Sequence, residues 1–194
     1  MVFSSMGGVS ATMTNDTKVI ATNYSSNVLY NPTIKEIQNA IDSSDDGEDI
    51  VIKGSPTDNG LIKSKKNFNI EGENCTFNNI RWKSTKNISF RNINFNSNKC
   101  DCGGAIRSEG SVNCINCNFT GNSATYTDGG AISSDLNVMV SDCNFVENSA
   151  SDRGGAISSD GDVSVYRCSF NKNKASGATL IQTKGGAIYS RGYV

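Results

Sequence analysis

The side chains that could carry chemistry in this 194-residue chain are thiols and carboxylates, because it has 7 cysteines, 19 acidic residues and no histidine. The lack of histidine excludes Ser-His-Asp and Cys-His nucleophilic centres, a histidine general base and any histidine-bound metal. A net charge of −1 offers no electrostatic attraction for nucleic acid. The cysteines and the acidic residues must therefore be judged by their spacing.

Three cysteines recur at one position of a sequence repeat: Cys117, Cys143 and Cys168. Ile93 takes the same position in an earlier copy, so the position suits an apolar side chain and predicts free, buried thiols. Cys100 and Cys102 lie in a loop and are better candidates for a disulfide or a redox role, while the odd number of cysteines leaves at least one unpaired. Thiolates along one row cannot surround a tetrahedral zinc ion, so we predict no zinc site.

Three carboxylates also share one turn position of the repeat: Glu109, Asp135 and Asp160. Arg191 takes the fourth place. Stacked carboxylates repel one another, and a bound Ca²⁺ would relieve that repulsion. Solvated turn residues are the simpler interpretation, and the sequence predicts no cofactor.

Two linked motifs that recur about every 25 residues must position these side chains. Gly-Gly-Ala-Ile begins at Gly103, Gly129, Gly154 and Gly185. Phe-x-x-Asn pairs Phe95, Phe119, Phe145 and Phe170 with Asn98, Asn122, Asn148 and Asn173. Apolar residues alternate with polar ones in three short stretches of each copy, which is the period of a strand.

A unit this short cannot bury its apolar face alone, so equivalent strands of successive copies must pair about 4.8 Å apart. The prediction is an all-β, right-handed, single-stranded parallel β-helix of the pectin-lyase-like type, with a short N-terminal capping helix. Its interior would hold one column of phenylalanines and one amide ladder of asparagines. Polar outward rows with scattered aromatic rings would face solvent, and we expect five such rings there: Tyr24, Tyr126, Trp82, Tyr166 and Tyr189.

Three regions follow along the chain. Residues 1–30 are interpreted as the remnant of a signal peptide and a flexible leader, since Val9-Ser10-Ala11 resembles a cleavage site. Residues 31–53 hold the capping helix, which begins with a Thr33/Glu36 capping box, and the first strand. Residues 54–194 form the coils, which we expect to be truncated at the C-terminal end. No apolar run is long enough to span a membrane.

The paired Gly-Gly-Ala-Ile and Phe-x-x-Asn motifs resemble the repeats of chlamydial polymorphic outer-membrane proteins, which are surface-exposed adhesins. The helix and strand over 33–53 and the Asn-rich coils are similar to the adhesin-like β-helix proteins of methanogenic archaea. The resemblance covers roughly residues 30–194. It implies the β-helix fold, an extracellular or cell-surface location, and adhesion.

The function predicted is a non-enzymatic adhesin-like module that contacts an unidentified glycan or protein on a surface. Partner chains or further coils would cover the C-terminal edge. One alternative is a degenerate polysaccharide lyase or glycoside hydrolase, which needs paired carboxylates projecting from one strand face. The outward rows that begin at Arg107 and Ser89 hold no such pair. The other alternative is a purely structural stalk or spacer.

Overall fold

Parallel pairing between successive copies builds the chain from Val28 onward. The structure, a computed structural model, describes residues 10–11, 21–22, 27–176 and 186–194. It is an all-β parallel β-solenoid of about six turns with one short helix, so the predicted right-handed parallel β-helix is confirmed. The proposed signal-peptide remnant lies almost wholly outside the described residues. Within it, Ser10–Ala11 pairs antiparallel with Ala21–Thr22.

The first side of the solenoid, called the Ile face, is a six-stranded parallel sheet. Its strands are Gly60–Ser64, Ile80–Ser84, Ile106–Ser108, Ile132–Ser134, Ile157–Ser159 and Ile188–Ser190. The register pairs equivalent residues, so Ile106 lies beside Ile132, and Ile132 beside Ile157. These isoleucines point inward, and their Ser neighbours two positions on close the following turn.

A ten-stranded sheet bends to form the other two sides, the Val face and the Phe face. The Val face holds Val28–Tyr30, Asp49–Lys53, Val112–Ile115, Val138–Ser141 and Val163–Tyr166. The Phe face holds Asn118–Thr120, Asn144–Val146 and Ser169–Asn171. Two long strands, Phe68–Asn78 and Ile88–Asn96, run through the bend and belong to both faces. A small four-stranded sheet follows: Lys99–Cys100, Ser123–Ala124, Ser149–Ala150 and Lys174–Ala175.

Left-handed residues make the bend between the Val face and the Phe face. Asn92, Asn116, Asp142 and Arg167 have φ of 56°, 52°, 55° and 48°. Gly103, Gly129 and Gly154, which open the described Gly-Gly pairs, are also left-handed, and a Cβ on Gly129 would lie 2.1 Å from the carbonyl oxygen of Ile132. Glycine is therefore required at that turn, whereas Asn and Asp tolerate the first bend.

The helix Ile34–Ser43 covers the N-terminal end of the coils. The predicted capping box is present, because Glu36 N donates to Thr33 Oγ1 and Thr33 N donates to Glu36 Oε2. Ile37 and Ile41 are buried against the first coil. Val28–Tyr30, which the sequence did not predict, precedes the helix and pairs in parallel with Asp49–Lys53. The solenoid thus begins before its cap.

Candidate binding surfaces

The interior carries a continuous column of aromatic rings. Phe95, Phe119, Phe145 and Phe170 stack with ring centroids 4.7 Å apart and interplanar angles of 1–2°. Register explains the geometry, since equivalent residues of neighbouring parallel strands lie directly side by side. This column is structural, because Phe95, Phe119 and Phe145 are fully buried.

The asparagines of the Phe-x-x-Asn motif form an internal amide ladder: Asn98, Asn122, Asn148 and Asn173. Within it, Nδ2 of Asn122 donates to Oδ1 of Asn148 at 2.9 Å and to the carbonyl of Phe95 at 3.0 Å. Oδ1 of Asn122 accepts from the amide N–H and Nδ2 of Asn98. All four hydrogen bonds of this buried carboxamide are made, so it is unavailable to a ligand.

The cysteine row is also internal. Cys117 and Cys143 are buried, Cys168 in the last coil is half-buried, and all seven cysteines are free thiols. The N–H of Cys117 approaches Sγ of Cys143 at 3.4 Å. Burial raises the pKa of Cys117 well above the ordinary range, and a hydrogen bond to Cys117, with burial, raises the pKa of Cys143. These thiols stay protonated and are poor nucleophiles. Cys100 and Cys102 are half-buried and unbonded to each other.

The three turn carboxylates stack as their shared position predicts, but two of them have arginine partners. Arg107 Nη2 lies 2.6 Å from Asp135 Oδ1, and Arg191 Nε lies 3.1 Å from Asp160 Oδ1. These arginines neutralise two of the three carboxylates without a metal ion. Among the described residues, no three Cys, Asp or Glu side chains are grouped so that they could hold a metal ion. The Ca²⁺ considered for Glu109, Asp135 and Asp160 therefore has no support in the geometry.

A charged cluster that sequence analysis missed lies beside the Ile face. Arg153 binds Asp128 at 3.1 Å and Asp152 at 3.3 Å, and its guanidinium lies 4.8 Å from the ring centroid of Tyr189. Burial raises the pKa of Asp128 despite the arginine. The sequence did contain a signal for this ion pair. Asp128 and Arg153 each directly precede a Gly-Gly pair, so the register of the coils places them side by side. The register of successive coils likewise places Asp142 beside Arg167, and the two form an ion pair.

Of the aromatic rings expected to face outward, two tyrosines do so and the tryptophan does not. Tyr126 is 77% exposed, and Tyr166 is exposed with the guanidinium of Arg167 over its ring. Trp82 was expected outside, and this expectation is wrong, since its ring is 2% exposed and packs among Phe68, Phe77 and Phe90. Trp82 takes the inward position that Ile106 holds in the next coil. Tyr24 and most of the loop between 173 and 184 lie outside the described residues.

A groove of about 400 Å³ lies where the Ile face turns into the Val face, and it crosses four successive coils. We call it the corner groove. One wall is the turn row Asn67, Asn87, Ser111 and Asn137, and the other is the outward strand row Asn69, Ser89, Asn113 and Met139. The sequence predicted three members of the strand row, Ser89, Asn113 and Met139, to face outward. It did not predict that this row and the turn enclose a groove.

No charged side chain lines the corner groove. The carboxamide oxygens of Asn87 and Asn137 accept from the backbone N–H groups of Ser111 and Asp162, which fixes both amide planes. Oδ1 of Asn113 is shielded from solvent and has no hydrogen-bond partner. Met139 is 56% exposed. The groove therefore combines fixed neutral amides with an apolar surface.

Comparison with known families identifies the repeats. Residues 116–135, 142–160 and 167–191 match the Chlamydia polymorphic membrane protein repeat. Each segment begins at a left-handed bend residue and ends in the turn after a strand of the Ile face, at Asp135, Asp160 or Arg191. The chain is a parallel β-solenoid in which three segments are similar to this repeat, in agreement with the resemblance inferred from its motifs.

No curated protein and no solved structure matches the chain. Among the described residues, the single helix, Ile34–Ser43, is too short to cross a bilayer.

Proposed function

We propose that this chain is a non-catalytic, surface-displayed adhesin-like module that contacts glycans or proteins of another surface. The observation that carries the proposal is the match of three stacked coils to a repeat named for a polymorphic membrane protein. The fold supports it, because the stacked coils present continuous outward rows, and the row on the Phe face is uncharged over four coils.

The outward side of the Phe face illustrates such a row. Nδ2 of Asn118 donates to Oδ1 of Asn94, and Nδ2 of Asn144 donates to Oδ1 of Asn118, both at 2.8 Å. The hydroxyl of Ser169 continues the row to Asn144 at 2.7 Å. Ladders of this kind give a flat, regular, polar surface that keeps its form without a partner.

The charges on and beside the Ile face argue against a sugar-cleaving site on that face. The outward positions of the Ile face on successive coils are Lys83, Arg107, Ser133, Ser158 and Tyr189, and none is a carboxylate. Asp128 and Asp152 beside that face both bind Arg153. A hydrolase needs one free acid and one free base on either side of the scissile bond.

Adherence of cells to the immobilised chain tests the proposal. We expect cells to attach to plates coated with the folded chain and not to plates coated with the heat-unfolded chain. A stalk without binding activity would retain no cells. In parallel, the chain is incubated with pectin, alginate and cell-wall glycans, and new reducing ends or unsaturated products are measured. Turnover of any of these would overturn the non-catalytic assignment.

A further inference from the structure

We propose that the corner groove is a binding site for a neutral oligosaccharide, an inference that rests on the proposed function and names its ligand class. The groove has the volume of small-molecule sites, about 400 Å³. It crosses four coils, which lie about 4.8 Å apart, so its length suits a short linear chain of sugars rather than a single ring.

Asn113 supplies the first argument, because its carboxamide is almost uncommitted. On the outward side of the Phe face, Asn118 and Asn144 each donate to the asparagine of the preceding coil. Asn113 instead has Ser89 on one side and Met139 on the other, so it cannot join a ladder of that kind. Nδ2 of Asn113 has only a 3.5 Å contact to Ser89 Oγ, and its Oδ1 has no partner. Turning this oxygen toward a ligand hydroxyl sacrifices no strong hydrogen bond, and it relieves the cost of an unpaired acceptor.

The opposite wall supplies donors in fixed positions. Asn87 and Asn137 each hold their oxygen on a backbone N–H, at 2.9 Å in both cases, so their Nδ2 groups project from rigid amides. Donors that are already oriented lose little entropy on binding. Hydroxyl groups, which both donate and accept, are the ligand groups that match a mixed set of amide donors and acceptors.

Charge and apolar surface restrict the ligand class further. Asp49, Glu71 and Arg91 line a neighbouring pocket, whereas the corner groove has no charged lining residue. A uronate or sulfated sugar would find no cation there to offset its desolvation. The exposed thioether side chain of Met139 offers a flat apolar contact, and the C–H faces of a neutral sugar ring can cover it.

The test is titration of the folded chain with hexasaccharides, followed by calorimetry. The neutral probes are cellohexaose, mannohexaose and chitohexaose, and the charged probe is hexagalacturonate. We expect saturable binding of at least one neutral probe and none of hexagalacturonate. Asn113→Leu and Met139→Ala should each weaken that binding about tenfold. The matched controls Asn96→Leu, on the Phe face, and Leu136→Ala, an exposed turn residue outside the groove, should leave it unchanged.

Failure of this inference is distinguishable from failure of the proposed function. If cells attach to the wild type but no neutral hexasaccharide binds to it, adhesion stands and the groove assignment is wrong. If a neutral hexasaccharide binds in the groove but no cells attach, the groove assignment stands and the adhesin function is wrong. Attachment that protease treatment of the cells abolishes, without binding of any neutral probe, would point to a protein ligand and overturn the glycan site. Preference for hexagalacturonate would overturn it as well.

Discussion

Gln38 of the capping helix completes the hydrogen bonds of Lys63, which lies on the edge strand of the Ile face. Its Nε2 donates to the Lys63 carbonyl at 2.8 Å, and its Oε1 accepts from the Lys63 N–H at 2.9 Å. A glutamine side chain thus takes the place of a neighbouring strand at the first open edge of the sheet. Unpaired edges invite pairing with other chains, so this contact protects the solenoid from self-association.

Removing that contact should expose the edge. We expect Gln38→Ala to lower stability by about 1 kcal/mol and to increase self-association, because the Lys63 backbone groups lose their partners. Sedimentation velocity and thermal melting measure the two effects. Asn39→Ala is the control, since Asn39 is an exposed neighbour on the same helix. Equal association of the two variants would show that Gln38 does not guard the edge.

The internal amide ladder should tolerate substitution poorly. Asn122→Leu leaves the Asn98 N–H and the Phe95 carbonyl buried without a partner, at a combined cost of about 3 kcal/mol. Thermal melting should show a decrease in Tm of about 10 °C. Asn118→Leu removes an amide from the exposed ladder instead, where water replaces the lost bonds, and should cost less than about 1 kcal/mol. Similar losses from both variants would contradict the role assigned to burial.

The buried thiols should make the chain sensitive to alkali. Burial raises the pKa of Cys75 to about 12, so the native state keeps a proton that the unfolded chain releases at its ordinary thiol pKa. The contribution of this thiol to stability is complete below the unfolded pKa and is lost as pH rises toward 12, at about 1.4 kcal/mol per pH unit. Urea unfolding at pH 7, 9 and 10.5 measures this slope.

The replacement Cys75→Val should make the free energy of unfolding fall less steeply with pH in the alkaline range, because one proton fewer is released on unfolding. Valine suits the site, because the paired position in the next coil is Ile93. We expect little change in stability at pH 7 and a smaller loss at pH 10.5 than in the wild type. Ile93→Val, at the paired buried position that carries no thiol, is the control and should leave the slope unchanged. An unaltered slope in Cys75→Val would assign the alkaline sensitivity to other groups.

The Arg153 cluster predicts a stability change that depends on pH. Arg153→Met leaves the Asp128 carboxylate partly buried without its cation, and we expect a loss of about 2 kcal/mol at pH 7. The pKa of Asp128 is raised by burial, so its contribution to stability is greatest below its ordinary pKa and is lost as pH rises through the raised value. The penalty of Arg153→Met should therefore shrink as pH falls through the raised pKa of Asp128, because protonation removes the uncompensated charge.

The exposed pair Asp142–Arg167 provides the control for this prediction. Both side chains are more than a third exposed, so Arg167→Met should cost less than about 1 kcal/mol at either pH. Urea midpoints at pH 4 and pH 7 for the two variants give the comparison. A pH-independent loss in Arg153→Met would mean that packing against Tyr189, rather than charge, holds the cluster.

The sequence predicted the parts of this fold that depend on register. The spacing of Phe119 and Phe145 alone required their rings to stack, because parallel pairing places equivalent residues side by side. Trp82 was misplaced, although it stands two residues before Ser84 as Ile106 stands before Ser108, because the first coils lack the full motif. The strand Val28–Tyr30 was missed because three residues show no period.

The corner groove could not be predicted from the sequence. The outward position of Met139 follows from alternation along its strand, but the depth of a groove depends on how far the turn at Asn87 stands out beside it. That offset is set by backbone geometry between two faces rather than by side-chain pattern. Likewise, the lack of a partner for Asn113 Oδ1 depends on side-chain rotation, which the sequence does not specify.

The constant register from coil to coil has a consequence for how such proteins evolve. Each coil presents the same Phe, Asn and Ile positions to the coil before it and to the coil after it. Duplicating or deleting one whole repeat by recombination therefore preserves both contact surfaces, whereas a loss of two or three residues disrupts them. The reach of the molecule can change in steps of about 4.8 Å over generations without any change in its cross-section.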